Sequence, residues 1–239
     1  MTSAAFPQQA QEFIESVLAL KPALAVFDCD GTLWSGDAGR DFFYWEMDRG
    51  LISPEVARVM RARYDDYLMG EVDEAPICAE MVTMNAGIAC DVLYRAAEQF
   101  FEELVRPRIF PEMLELTAQL KQQGCELWAV SSTNNWLIEY GAEQFGIERD
   151  HVLAACVHIE DGSASGRILR VPTDELKAVA IREVVARPVD AVFGNSIHDY
   201  AMLEMAKWPF CVNPNPDLQR VAEEKGWPVY RPVSHKATL

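Results

Sequence analysis

Leu24-Ala25-Val26-Phe27-Asp28-Cys29-Asp30-Gly31-Thr32 decides how the rest of the chain reads. Residues 24–28 form a short, β-rich run that is apolar at nearly every position, which suits a strand covered on both faces. Similar runs recur at 125–130 (CELWAV), 152–159 (VLAACVHI), 189–193 (VDAVF) and 209–212 (PFCV). Helical patterns fill 111–122, 134–145, 173–186, 198–206 and 216–225. Pro111, Pro172 and Pro216 stand near helix starts, and Gly124 and Gly146 just past helix ends. Strands alternating with helices predict an α/β fold, a Rossmann-like three-layer core around a parallel sheet. Asp161 to Gly166, between two short extended runs, reads as a hairpin loop. Residues 37–108 break the alternation and read as three or four helices. About seventy residues are too many for a βα connection, so this stretch is expected to be an inserted all-helical cap. The core would then comprise 1–36 and 109–239, and the cap 37–108.

The composition removes several classes of function. The 239 residues carry 37 acidic and 21 basic side chains, a formal charge of −16. That sign argues against nucleic acid as a partner, because neutralising phosphates needs clustered Lys and Arg. The richest basic run, Arg58 to Tyr64, has Asp65 and Asp66 close behind and reads as a solvated or salt-bridged helix face. No segment approaches the ~18 uninterrupted apolar residues of a membrane span. The first twenty residues carry Glu12 and Glu15 among their apolar positions and read as an amphipathic helix, not a signal peptide. The six cysteines form no CxxC pair. They are expected as buried thiols in a reducing compartment, which points to the cytoplasm.

Asp28 and Asp30 stand at the carboxyl end of the first strand, where open α/β sheets bind ligands. A turn at Asp30-Gly31 lets both acids face one crevice, although Asp-Gly by itself also suits a hairpin. An EF-hand loop starting at Asp28 is excluded, since Leu33 and Gly39 occupy the positions that need Gly and Glu. Three later segments matter. Ser131-Ser132-Thr133 ends the second run, Lys177 lies in a helical stretch, and Gly194-Asn195-Ser196-Ile197-His198-Asp199 ends another run. Singly, these are a helix cap, a surface lysine and a first-turn acid. Jointly they lie near strand ends on one edge of the expected sheet, in a fixed order.

With those residues in that order, the sequence resembles the haloacid dehalogenase-like hydrolase superfamily, in the branch with a helical cap that includes phosphoserine phosphatase. The resemblance spans 23–36 and 109–230. It implies a Mg²⁺-dependent phosphomonoesterase acting on a small phosphorylated metabolite through an aspartyl-phosphate. Asp28 resembles the nucleophile and Asp30 the general acid and base. Ser131 and Lys177 resemble the groups that hold phosphoryl oxygens, helped by N–H groups around Cys29 and Ser132. Thr32 is expected to fix the turn and, with Ser132 and Asp37, to face the substrate. The cation would be held by Asp28, Asp30 through its carbonyl, Asn195 and Asp199. Asp37 stands nine positions after Asp28, where relatives acting on phosphoserine hold the substrate ammonium; Arg40, Arg58, Arg61 and Arg63 are candidates for its carboxylate. The family usually has Asp where this chain has Asn195, so weaker Mg²⁺ binding with retained catalysis is expected. The aromatics Phe42, Phe43, Tyr44, Trp45, Tyr64 and Tyr67 read as core or as a ligand platform. His198 reads as a helix N-terminal residue. A phosphomutase, a dehalogenase and a non-catalytic phosphate-binding module are the alternatives; Asp30 counts against the dehalogenase.

Overall fold

The computed structural model describes residues 6–232. The outermost parts of the expected core, 1–5 and 233–239, lie outside the described residues. The strands are β1 (Leu24–Phe27), β2 (Glu126–Asn134), β3 (Val152–Glu160), β4 (Ser163–Arg170), β5 (Ala191–Gly194), β6 (Trp208–Val212) and β7 (Val229–Tyr230). The helices are α1 (Gln8–Ala19), α2 (Ala38–Asp48), α3 (Pro54–Leu68), α4 (Glu74–Thr83), α5 (Cys90–Phe100), α6 (Pro111–Gln122), α7 (Asn135–Glu143), α8 (Glu175–Val184), α9 (Tyr200–Glu204) and α10 (Pro216–Lys225).

The sheet order is β4-β3-β2-β1-β5-β6-β7. All neighbours are parallel except β4, which folds back antiparallel on β3. Side chains alternate between the two faces of a strand. Ala25 and Phe27 therefore join one apolar layer with α1, α6 and α7, while Leu24 and Val26 join another with α8, α9 and α10. Burial on both faces is why the strand runs lack polar alternation. The N-terminal amphipathic expectation holds over α1, which buries Ala10, Phe13, Ile14 and Val17. The chain runs from β1 to β2 and β3 on one side, then returns through α8 to β5 on the other. The carboxyl end of β1 is thus a topological switch point, where a crevice opens.

Two strand ends differ from expectation. β2 continues to Asn134 because its register on β3 jumps between Ser131 and Asn134. Such a bulge bends the strand and re-aims its side chains. β4 begins directly after a tight turn at Asp161 (φ 49°) and Gly162 (φ 76°). The expected helix 198–206 is a 3₁₀ turn at Ile197–Asp199 followed by α9.

Between β1 and α6 lie α2 to α5, a π turn (Phe101–Val105) and a 3₁₀ turn (Arg106–Arg108). Phe43, Met47, Ile52, Met60, Tyr64, Val72 and Ile77 form an apolar cluster of their own. α5 instead joins the main core through Leu93, Ala97 and Phe100. Arg61 pairs with Asp48 and Arg63 with Glu80, the salt-bridged face expected of the basic run. No helix among the described residues is long and apolar enough to cross a membrane. All six cysteines are free thiols.

Gly141 in α7 is buried where an added Cβ would meet Phe101 Cε2 at 2.8 Å and Trp34 Cη2 at 3.0 Å. Alanine would gain about 1 kcal/mol of helix propensity, against about 1–3 kcal/mol for overpacking two rigid aromatic rings. Gly141→Ala is therefore expected to lower the Tm by a few degrees, as thermal unfolding would read; an unchanged or higher Tm would mean the rings move aside.

Candidate active site

β1 ends at Phe27, and Asp28 N–H still donates to Phe193 O on β5 at 2.9 Å. The carboxylate of Asp28 is thereby fixed at the switch point, 4% exposed. Gly31 takes φ +78° and turns the chain. A side chain there is excluded, because a Cβ would lie 1.9 Å from Asn195 Nδ2. The amide of Asn195 thus packs directly on the turn that follows Asp30. Gly194 is constrained in the same way by Asp199, whose Cβ would sit 2.7 Å from an added Cβ.

Lys177, from the first turns of α8, is 4% exposed and donates to Asp28 Oδ1 (2.8 Å) and Asp199 Oδ1 (2.6 Å). Asp28 Oδ2 accepts from Thr32 Oγ1 at 2.9 Å. Asp199 Oδ2 accepts from the N–H groups of Asn195 (2.8 Å) and Ser196 (3.0 Å). Burial and the charge of Asp199 raise the Asp28 carboxyl to about 7, with Lys177 pulling the other way. Burial opposes the charge on Lys177, but Asp199 and Asp28 outweigh it and hold the ammonium above the usual lysine range. Burial also pushes the Cys29 thiol well up, which disfavours its thiolate.

Asp30 belongs to a second network. Its Oδ1 accepts from Trp34 Nε1 (2.6 Å) and Ala38 N (2.8 Å), and its Oδ2 from Thr133 Oγ1 (2.9 Å). Ala38 is the first residue of α2, so the start of the insertion is tied to this carboxylate. Ser131 is buried on β2, and its Oγ accepts from Thr133 N at 3.2 Å.

A cavity of about 80 Å³ lies between α2, α3 and α4 and the end of β2. Ser132 and Thr133 form its floor on the β2 side, so it abuts the Asp30 network. Asp37 lines its mouth and also caps α2, accepting from Arg40 N at 2.8 Å. The protein around the Asp37 carboxyl, together with the charge of Asp30, raises it to about 6. Burial pushes the Cys78 thiol, which hydrogen-bonds Ser132, up to about 12. Phe43, Tyr64 and Tyr67 serve both readings of the aromatics, packing in the insertion and lining this cavity.

The structure thus joins Asp28, Thr32, Lys177 and Asp199 in one hydrogen-bonded cluster, sets Asn195 on the Asp30-Gly31 turn, and puts Ser132 and Asp37 on the cavity. Several expectations change. Thr32 is fully buried, and its hydroxyl donates to Asp28 Oδ2. Arg61 and Arg63 are engaged by Asp48 and Glu80, and neither they nor Arg58 line the cavity. His198 is more than a helix-end residue, since Nδ1 meets Asp174 Oδ1 at 2.7 Å and Nε2 lies 3.4 Å from Glu74 Oε2 across the insertion boundary. Thr133 and Glu46 carry no sequence signal that assigns them. Thr133 was one of three consecutive hydroxyls, and only the bulge selects which reaches Asp30.

A sequence model of the haloacid dehalogenase-like hydrolases matches residues 25–204. A histidinol-phosphatase of Neisseria meningitidis is 25% identical over 217 residues, covering 86% of this chain and 97% of the relative. A solved structure of a Bordetella pertussis protein of unknown function superposes with TM-score 0.76 at 25% identity, over 87% of this chain and 97% of that one. A probable phosphoserine phosphatase from Vibrio cholerae shares the fold with TM-score 0.67 at 19% identity, over 90% of this chain and 62% of that one.

Glu46 on α2 is 2% exposed, and its Oε2 has no hydrogen-bond partner. Burial raises this carboxyl well above the usual range, with Asn85 giving partial relief. A carboxyl raised on folding binds its proton more tightly folded than unfolded, so its contribution falls as pH rises from the unfolded value toward the folded one. Glu46→Gln keeps the shape and removes that titration. It is expected to stabilise the protein more at pH 8 than at pH 5, by about 1–3 kcal/mol, the ordinary cost of an unsatisfied buried polar atom. Urea unfolding at the two pH values measures this; equal effects at both would refute it.

Proposed function

The chain belongs to the haloacid dehalogenase-like hydrolases and is a phosphatase of that family, and from that premise we propose that it hydrolyses a small phosphomonoester by way of a phosphorylated Asp28. The observation that carries this reading is the Asp28–Lys177–Asp199 cluster at the switch point, beside a cavity that reaches Asp30 through Thr133. Residues 37–108 act as the cap, supported by their own apolar cluster and by the cavity they roof. The free thiols fit a reducing cytoplasm.

Asp28 attacks phosphorus with a carboxylate oxygen, forming one P–O bond as the ester P–O bond breaks. Lys177 and Thr32 hold the carboxylate in place for the attack, and Lys177 offsets charge on the phosphoryl oxygens. Ser131 contributes its hydroxyl to those oxygens. The leaving alkoxide takes a proton from Asp30. Oδ1 is filled by two groups that only donate, Trp34 Nε1 and Ala38 N–H, so the proton passes through Oδ2, the oxygen beside Thr133. In the second half, Asp30 takes a proton from the attacking water, and phosphate leaves Asp28.

The donor set fits a hard divalent cation. Asp28, Asp199 and the turn at Asp30 bring oxygen donors together beside one ammonium, Lys177, and oxygen donors suit a hard divalent cation. Asp28, the Asp30 carbonyl and the Asn195 amide would hold it. Asp199, with both oxygens engaged, stands behind them and anchors Lys177 and the 195–196 backbone. When bound, the cation supplies charge neutralisation between the nucleophile and the phosphoryl group.

With p-nitrophenyl phosphate and Mg²⁺, wild type is expected to release phosphate, and Asp28→Asn to lose about 10³-fold or more in kcat. Chelation with EDTA should abolish the wild-type activity. Metal-independent turnover, or full activity in Asp28→Asn, would overturn the reading. Asn195→Asp adds a charge to the donor set, so Mg²⁺ titration of activity should show a several-fold lower half-saturating concentration; an unchanged or higher value would remove Asn195 from the set.

A further inference from the structure

Resting on the phosphomonoesterase reading, the surroundings of Asp30 bear on how its proton is delivered. An ionised carboxylate offers about four lone-pair positions, two on each oxygen. Oδ1 of Asp30 accepts from Trp34 Nε1 (2.6 Å) and Ala38 N–H (2.8 Å), and Oδ2 from Thr133 Oγ1 (2.9 Å). Three positions are thus taken by donors, and the fourth is the second lone pair of Oδ2.

The indole is the rigid member of this set. Trp34 is fully buried, and its ring meets Phe101 edge-on with centroids 5.6 Å apart and Phe145 at 6.1 Å. Its backbone is fixed as well. The carbonyl accepts from Gly31 N–H at 2.8 Å. On either side, Ser35 N–H donates to Arg108 O and Phe110 N–H to Leu33 O, 3.0 Å each, which joins the segments leading into and out of the insertion. A ring with two side-chain torsions, held at its root and packed by other rings, aims one N–H at little cost in freedom. Burial alone does not force this pairing, because the indole N–H groups of Trp45 and Trp136 are buried with no partner among the described residues. Phenylalanine would supply aromatic bulk at position 34; what the indole adds is the donor.

We propose that Trp34 is a positioning residue for proton transfer: its N–H pins Oδ1 and, with Thr133 on Oδ2, turns the open lone pair of Asp30 toward the ester oxygen. As Asp28 forms its bond to phosphorus, the ester P–O bond breaks and its electron pair goes to the leaving oxygen. That oxygen takes the proton from Oδ2. Asp30 is left as a carboxylate, the form that the three donors stabilise.

The test grades the leaving group. p-Nitrophenolate departs without a proton, whereas the oxygen of phenol, with a pKa of about 10, gains from one. The constant kcat/KM extends only through ester cleavage, so hydrolysis of phosphorylated Asp28 does not enter it. The readout is the ratio of kcat/KM for p-nitrophenyl phosphate to that for phenyl phosphate. Trp34→Phe should raise this ratio about tenfold over wild type, out of the roughly 10²–10⁴ that a positioned acid supplies. Thr133→Val should raise it several-fold, and Thr133→Ser, which keeps the hydroxyl, should hold it within twofold of wild type. In an Asp30→Asn background, which has no proton to give, Trp34→Phe should leave the ratio unchanged. Structural damage lowers both esters alike and does not move the ratio. An unmoved ratio in Trp34→Phe, or the same rise with and without Asp30, overturns the proposal. Equal ratios in Thr133→Ser and Thr133→Val overturn the part given to the hydroxyl. Should Trp34→Phe not fold, benzothienylalanine at position 34, the same shape with sulfur for N–H, is read by the same criteria. A ratio unmoved by Asp30→Asn overturns Asp30 as the acid and the positioning with it, and a wild type that cleaves neither ester overturns the phosphatase reading itself.

Discussion

A buried ammonium held between two buried carboxylates is the constraint on which the site depends. Removing Lys177, Asp28 or Asp199 from water costs several kcal/mol each, and the mutual attraction offsets this only while all three are in place. Such a cluster adds little net stability. It specifies geometry, because β1, α8 and the loop after β5 must meet within hydrogen-bond distance or leave an uncompensated charge. The N–H groups of Asn195 and Ser196 on Asp199 complete the arrangement. The same charges that restrain the fold are those a phosphoryl-transfer site uses.

Backbone sterics carry the constraint outward. Gly31 and Gly194 allow the β1 and β5 loops to touch where any Cβ would collide. Gly39, at the start of α2, approaches Thr133 so closely that a Cβ would lie 2.3 Å from its Oγ1. That hydroxyl is bound to Asp30, which also holds Ala38 N–H. The insertion's first turn, the bulge of β2 and the turn after β1 therefore converge on one carboxylate. Orienting the acid and seating the insertion are one geometric event, a coupling suited to chemistry that must exclude water.

The cavity shows the opposite economy. Glu46 is left without a full set of partners in a pocket that otherwise packs aromatic and aliphatic side chains. Arg61 and Arg63 of α3, by contrast, pair with Asp48 and Glu80 at the surface.

The alternation of apolar runs and helices, and the acids at the end of the first run, were legible from local chemistry alone. A strand covered on both faces must be apolar throughout, and Asp-x-Asp-Gly-Thr can form only a few kinds of turn. Lys177 was legible by order, not by type, since a lone lysine in a helix carries no mark of burial. The length of β2, the contact of Thr32 with Asp28, the choice of Thr133 among three hydroxyls, and the isolation of Glu46 were decided by tertiary structure. Each depends on which distant groups arrive beside a side chain and how much water they displace, and neither quantity is written in the residues next to it.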